Sequence, residues 1–287
     1  MASLPNEPRF NQFLSSLLFF HLLLIILHFV SSSIAPVSSL SLPFAHSNSK
    51  VKIVEETKEA MALLSWKTSL PNKSQSLLSS WVGTTPCNWM EINCDHSGSV
   101  THLNLSSYGL RGTLHNLNFQ SFPNLLSLNL SHNSLSGIIN SNISHLSKLS
   151  LLDLSSNQFT GRIPSEIGKL TSLHVVDLSA NRMTGLIPQD LGTLSSLSKL
   201  DFLSNNLTGV IPTFLGNLSN LIILHLHMSQ LSSSIPQELG MLSSLTNLAL
   251  QSNNLIGVIP ASLGNLSKLT TLYLFENQLL GSIPQEL

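Results

Sequence analysis

Leu149-Ser-Leu-Leu-Asp-Leu-Ser-Ser-Asn-Gln-Phe-Thr-Gly-Arg-Ile-Pro-Ser-Glu-Ile-Gly-Lys-Leu-Thr171 is one cycle of a pattern that returns every 24 residues. Asn157 recurs at Asn133, Asn181, Asn205, Asn253 and Asn277. Ile163-Pro164 recurs at Ile187-Pro188, Ile211-Pro212, Ile235-Pro236, Ile259-Pro260 and Ile283-Pro284. Gly168 recurs at Gly192, Gly216, Gly240 and Gly264. A fixed period in the twenties specifies a solenoid.

The residue types fit that reading. Leu152 and Leu154 are two apart, so on a strand they share a face. Leu149, Leu152, Leu154, Phe159, Ile163, Ile167 and Leu170 can all point inward from one coil. A single coil cannot bury them; stacking coils makes one continuous core. Each buried side chain of this kind contributes roughly 1.5–3 kcal/mol. Asn157 stands where the chain leaves the strand, and its amide can both donate to and accept from turn backbone groups. Gly161 relieves a crowded turn. Pro164, with fixed φ and no N–H, suits the first turn of a short outer helix.

Upstream, Phe13 to Val30 is almost wholly apolar, interrupted by His21 and His28 and preceded by Arg9. It reads as a secretory signal peptide over residues 1–35, with cleavage near Ala35. The alternative is a retained anchor, since the run approaches spanning length. Both readings place the remaining chain in an oxidising compartment. Residues 36–52 read as a flexible, Ser-rich lead-in. Residues 53–99 read as an N-terminal cap, with a helix from Glu55 to Ser69 ended by Pro71. Within the cap, Cys87 and Cys94 are expected to pair, because two cysteines seven apart in a secreted chain are too few soft ligands for a metal site. A cap is needed, since the first coil would otherwise show an apolar end to water.

Coils run from Val100 to Leu287, about seven and a half of them. Tyr108 takes the Asn place in coil one. Coil two has Ile139-Asn140 in place of Ile-Pro, and coil six has Ser229 for Asn and Ser233 for Gly. The eighth coil stops part-way, so the array is expected to be truncated, without a C-terminal cap.

These residues resemble plant leucine-rich repeat receptors, and in particular the ectodomains of leucine-rich repeat receptor-like kinases. The resemblance rests on Ala62-Leu-Leu-Ser-Trp-Lys67, the Cys87–Cys94 block and the repeated Leu-x-x-Leu-x-Leu-x-x-Asn-x-Leu-x-Gly-x-Ile-Pro. It implies an α/β repeat fold: a right-handed solenoid with a parallel concave sheet, short 3-10 or α segments on the convex side and a helical disulfide cap. It also implies a second short sheet near Thr160, Thr184 and Thr208. Such surfaces in the family bind peptides, small hormones or co-receptors. Two departures stand out: Glu91 occupies a place where the family has Gly, and transmembrane and kinase segments are absent from the sequence, so no kinase activity carries over.

Function is then expected from side chains between the buried leucines. The central column reads Asn104, Asn129, Asp153, Asp177, Asp201, His225, Ala249, Tyr273, and the next reads Ser106, Ser131, Ser155, Ser179, Leu203, His227, Gln251, Phe275. Early coils are uniform and small, whereas coils five to eight carry groups better suited to anchor a partner. The candidate ligand-binding residues are Asp201, His225, His227, Met228, Tyr273, Phe275 and Glu276. His225 and His227 lack a clear third ligand, so no metal or other cofactor is expected. The Asp153–Asp177–Asp201 row lies on an open sheet with no pocket, which argues against catalysis. Charged residues make up 9% of the chain with net charge -1, so no basic face for nucleic acid is expected. N-glycan acceptors are Asn72, Asn104, Asn129, Asn142, Asn206, Asn217 and Asn265. The expected function is an extracellular module that binds a peptide or protein ligand, or a co-receptor ectodomain, at the cell surface. The alternative is a secreted inhibitor of microbial wall-degrading enzymes.

Overall fold

The computed structural model describes residues 47–287, with side chains from residue 58 onward. The expected signal peptide and residues 36–46 lie outside the described residues. The first helix, α1, spans Ser47–Ser69, so residues 47–52 are helical where a flexible lead-in is expected. No Gly or Pro interrupts that stretch, and a helix once nucleated propagates at little cost through such sequence. Pro71 then precedes α2, Asn72–Leu77. Among the described residues no helix is long and apolar enough to cross a membrane.

The cap is held by aromatic packing and by satisfied buried polar groups. Trp66 stacks toward Trp81 and Trp81 onto Trp89, with centroids 6.2 and 5.6 Å apart. Each indole finds a carbonyl: Trp66 Nε1 donates to Thr113 O, Trp81 Nε1 to Met90 O and Trp89 Nε1 to Val82 O. The Cys87–Cys94 disulfide is present. Glu59, fully buried, accepts from Ser99 Oγ and from the Val100 N–H, which ties α1 to the first coil. The strand Ile92–Cys94 runs antiparallel to Val100–Asn104 and so covers the edge of the array. Glu91 has φ +65°, which explains why glycine suits this place.

From Val100 the chain alternates between two sheets. Strands such as Leu151–Asp153, Val175–Asp177, Lys199–Asp201, Ile223–His225, Asn247–Ala249 and Thr271–Tyr273 pair in parallel and in sequence order, forming the concave face. A second sheet joins segments such as Gln158–Gly161, Arg182–Gly185 and Asn206–Val210. Short 3-10 segments such as Ser165–Lys169 make the opposite side. Pro164 caps that segment from just outside it, one place earlier than expected. In coil two, Asn140 does the capping instead, its side chain accepting from the Asn142 N–H.

The inward residues of the coil at 149–171 are all buried. Between coils the asparagines form a ladder. Asn157 accepts from the Leu135 N–H and donates to Leu130 O, Leu154 O and Ser155 O. The amide thus satisfies backbone groups of two successive coils, which no strand partner reaches.

Coil six breaks this ladder. Ser229 makes a single 3.4 Å bond to Asn205 O, and Ser233 is held at φ +72° where other coils have glycine. Ser229→Asn is expected to stabilise the protein by about 1–2 kcal/mol, since each restored net hydrogen bond contributes about 0.5–1.5 kcal/mol. Ser233→Gly should add up to about 1 kcal/mol by relieving left-handed strain. Urea unfolding of the two variants checks this; a midpoint equal to or below that of the original chain would show the ladder gap is cost-free.

Candidate functional site

The concave face changes character along its length, and hydrogen bonding shows where. In coils two to four each central carboxylate or amide is locked by the hydroxyl two residues on, while in coil one Asn104 Oδ1 accepts only the Ser106 N–H. Asn129 Oδ1 accepts from the Ser131 N–H and Oγ, Asp153 Oδ1 from those of Ser155, and Asp177 Oδ1 from those of Ser179. The alternation Asn/Asp-Leu-Ser makes this lock, because the two polar side chains share one face of the strand. A surface saturated by its own bonds offers few free groups to a partner.

From coil five the serine gives way to Leu203, His227, Gln251 and Phe275. Asp201 keeps only the Leu203 N–H at Oδ1. Its other oxygen lies 3.0 Å from His225 Nδ1 and 3.5 Å from Lys199 Nζ, and Lys199 reaches Asp177 Oδ2 at 2.6 Å. Burial acts to raise the Asp201 carboxyl, but the bond and charge of His225, the Leu203 N–H and Lys199 together hold it below the ordinary carboxylate range. Burial likewise acts to lower the Lys199 ammonium, and the two aspartates more than offset it, raising it. Burial, with His225 beside it, lowers His227. His227 Nδ1 and Gln251 Oε1 are buried with no hydrogen-bond partner, which marks where the self-satisfied pattern ends.

The seven sequence-derived candidates therefore fall into two groups. Asp201 is 6% exposed and tied to its neighbours; it positions Lys199 and His225. His225 and His227 are half-buried, in edge contact at 5.5 Å. Met228, Tyr273, Phe275 and Glu276 are open to solvent, and the Tyr273 and Phe275 rings meet edge-on at 6.0 Å. Met228 and Glu276 occupy one repeat position, just before the asparagine place, and both have φ near +55°. Ser107, His132, Ser156, Ala180, Ser204 and Ser252 share that left-handed turn. The sequence reading missed it; the signal was that this position never carries a β-branched residue. It also missed Lys199, which neutralises the Asp177–Asp201 pair and was legible only as a lone cation beside a column of acids. Among the described residues no cluster of three or more His, Cys, Asp or Glu side chains is arranged to hold a metal ion. Of the glycan acceptors, Asn72, Asn104, Asn142, Asn206, Asn217 and Asn265 are exposed and Asn129 is half-buried.

This architecture can be set against known proteins. A family model described as leucine-rich repeat region matches residues 50–285. The chain belongs to the leucine-rich repeat family. Among curated relatives, the LRR receptor-like serine/threonine-protein kinase RGI3 of Arabidopsis thaliana is 38% identical over 95 residues, which is 32% of this leucine-rich repeat chain and 9% of that protein. Among solved structures, the LRR ectodomain of the Arabidopsis thaliana receptor kinase GASSHO1/SCHENGEN3, in complex with CASPARIAN STRIP INTEGRITY FACTOR 2, superposes with TM-score 0.70 and 31% identity. It is covered over 31% of its length by 82% of this chain. The Arabidopsis receptor kinase HAESA, in complex with the peptide hormone IDA and the co-receptor SERK1, gives TM-score 0.67 and 32% identity, with 80% of this chain and 43% of that one covered. This leucine-rich repeat chain thus spans less than half the length of these relatives.

Proposed function

We propose that this chain is an extracellular recognition module of a plant receptor, binding a peptide or protein partner on the concave face of coils five to eight. The observation that carries the reading is the exposed Met228, Tyr273 and Phe275 on a face whose earlier coils are saturated by internal bonds. Exposed aromatic and thioether groups gain more from being covered than locked serines do. The relatives support a receptor setting, since the GASSHO1 ectodomain is solved in complex with CASPARIAN STRIP INTEGRITY FACTOR 2 and HAESA in complex with the peptide hormone IDA. The same likeness supports a secretory or cell-surface location. Sugars on Asn104 and Asn129 would cover coils one and two and leave the later coils clear.

The test is retention of apoplastic peptides and proteins on the immobilised full chain, identified by mass spectrometry. The triple variant His225→Ala, His227→Ala, Tyr273→Ala is expected to lose at least tenfold of the saturable retention. Retention unchanged in a triple variant that melts like the original chain would remove the reading.

A further inference from the structure

Coil eight carries a constellation that narrows the chemistry of the partner. Tyr273 and Phe275 lie two apart on one strand face, with rings 6.0 Å apart at 68°. An edge-to-face pair leaves ring face open, and both side chains are about half exposed, at 49% and 57%. Glu276 follows directly in a left-handed turn, φ +54°. Its Oε2 accepts a 2.5 Å bond from Ser252 Oγ on the neighbouring coil, so the carboxylate is tethered on the turn that directly follows Phe275. Two aromatic rings and a fixed carboxylate on one exposed corner form a receptor for a cation: the rings offer their negative faces and the carboxylate offers charge.

Asp153, Asp177 and Asp201 stand along the central column, against Lys199 on the same strands, and Lys199 is already shared between Asp177 and Asp201. No free cation of this face competes for the corner among the residues of coils six to eight, where the described strand residues are neutral apart from His225. We propose that the Tyr273–Phe275–Glu276 corner takes the guanidinium of an arginine side chain in the peptide partner. The inference rests on the concave-face reading above. Guanidinium is planar, stacks on an aromatic face and donates two parallel N–H bonds, whereas an ammonium is a compact, strongly hydrated charge.

The experiment follows the Tyr273 and Phe275 ring resonances of the full chain while N-acetyl-arginine amide is added, with N-acetyl-citrulline amide as the neutral isostere. Saturable shifts with the arginine compound, at least fivefold weaker with citrulline and at least threefold weaker in Glu276→Gln, are the expected result. Tyr273→Ala, at an exposed site that leaves the leucine core untouched, should abolish them. Equal shifts with citrulline, or arginine shifts unaffected by Glu276→Gln and Tyr273→Ala, would overturn the proposal. The two readings fail separately. If apoplastic retention is lost in the triple variant but arginine amide leaves the rings unmoved, the concave face stands and the arginine corner falls.

Discussion

Asn181→Ala is expected to lower the stability of the array by about 3–5 kcal/mol. The side chain is buried and makes four bonds: it accepts from the Phe159 N–H and donates to Leu154 O, Leu178 O and Ser179 O. Alanine leaves a buried N–H without an acceptor and strips a donor from three carbonyls. Each buried group left unsatisfied costs about 1–3 kcal/mol, with the carbonyls at the low end because each keeps a second lone pair. The damage spans two coils, because the amide joins the turn of one to the backbone of the next. Asn277→Ala is the matched control. Its amide makes the same pattern of bonds to Leu255 N–H, Leu250 O, Leu274 O and Phe275 O, but it is half-buried, so water replaces part of what is lost. That variant should cost at most about 2 kcal/mol. Urea unfolding followed by circular dichroism measures both. An Asn181→Ala chain within 1 kcal/mol of the original, or no more affected than Asn277→Ala, would mean the ladder is not what binds the coils (order-of-magnitude threshold from the same hydrogen-bond scale).

Gly216→Ala should cost about 3 kcal/mol for a different reason. Gly216 lies in a 3-10 segment, Thr213–Asn217, and a Cβ there would stand 2.4 Å from Glu238 O of the next coil. That neighbour is backbone and cannot rotate away, so the two coils must separate. Overpacking of this kind costs typically about 1–3 kcal/mol, and more where relief requires backbone movement. For a domain of this size the melting temperature should fall by about 6–12 °C. Gly257→Ala is the contrast: its φ is +81°, but the added Cβ meets Ser234 Cβ at a tolerable 3.5 Å. Only the left-handed strain of about 1–2 kcal/mol applies. Equal melting points for the two variants would show that glycine is kept at both places for its backbone freedom alone.

These two residues also show what could and could not be read from the chain. The leucine lattice was legible because strand geometry has a period of two and the coil a period of 24, so burial follows from spacing alone. The asparagine's role followed from its chemistry, since its amide is both donor and acceptor at the end of a strand. The turn glycine Gly161 was legible as relief of crowding, whereas the Gly168 series was visible as a register without its purpose. Gly161 and Gly216 look alike in sequence, yet one has φ +77° and the other has the backbone of the next coil pressed against it.

The candidate site was legible as columns, because parallel strands in register put equivalent residues side by side. Its energetics were not. Asp201 reads as an exposed anchor, but Lys199 and His225 come in from positions 2 before and 24 after it and bury it. Glu276 reads as a candidate contact, but only the stacked coils show that Ser252, 24 residues earlier, fixes its direction.

By itself the sequence determined that the chain coils with a fixed pitch, which side chains go inside, where the disulfide cap sits and which columns line the concave face. The tertiary structure decided how early α1 begins, which carboxylates are already spoken for and which side chains remain free to bind. The division has one physical cause. Burial of a leucine depends on its own coil's geometry, whereas the partners of a polar group lie one coil away, at a distance and angle that only the stacked array sets.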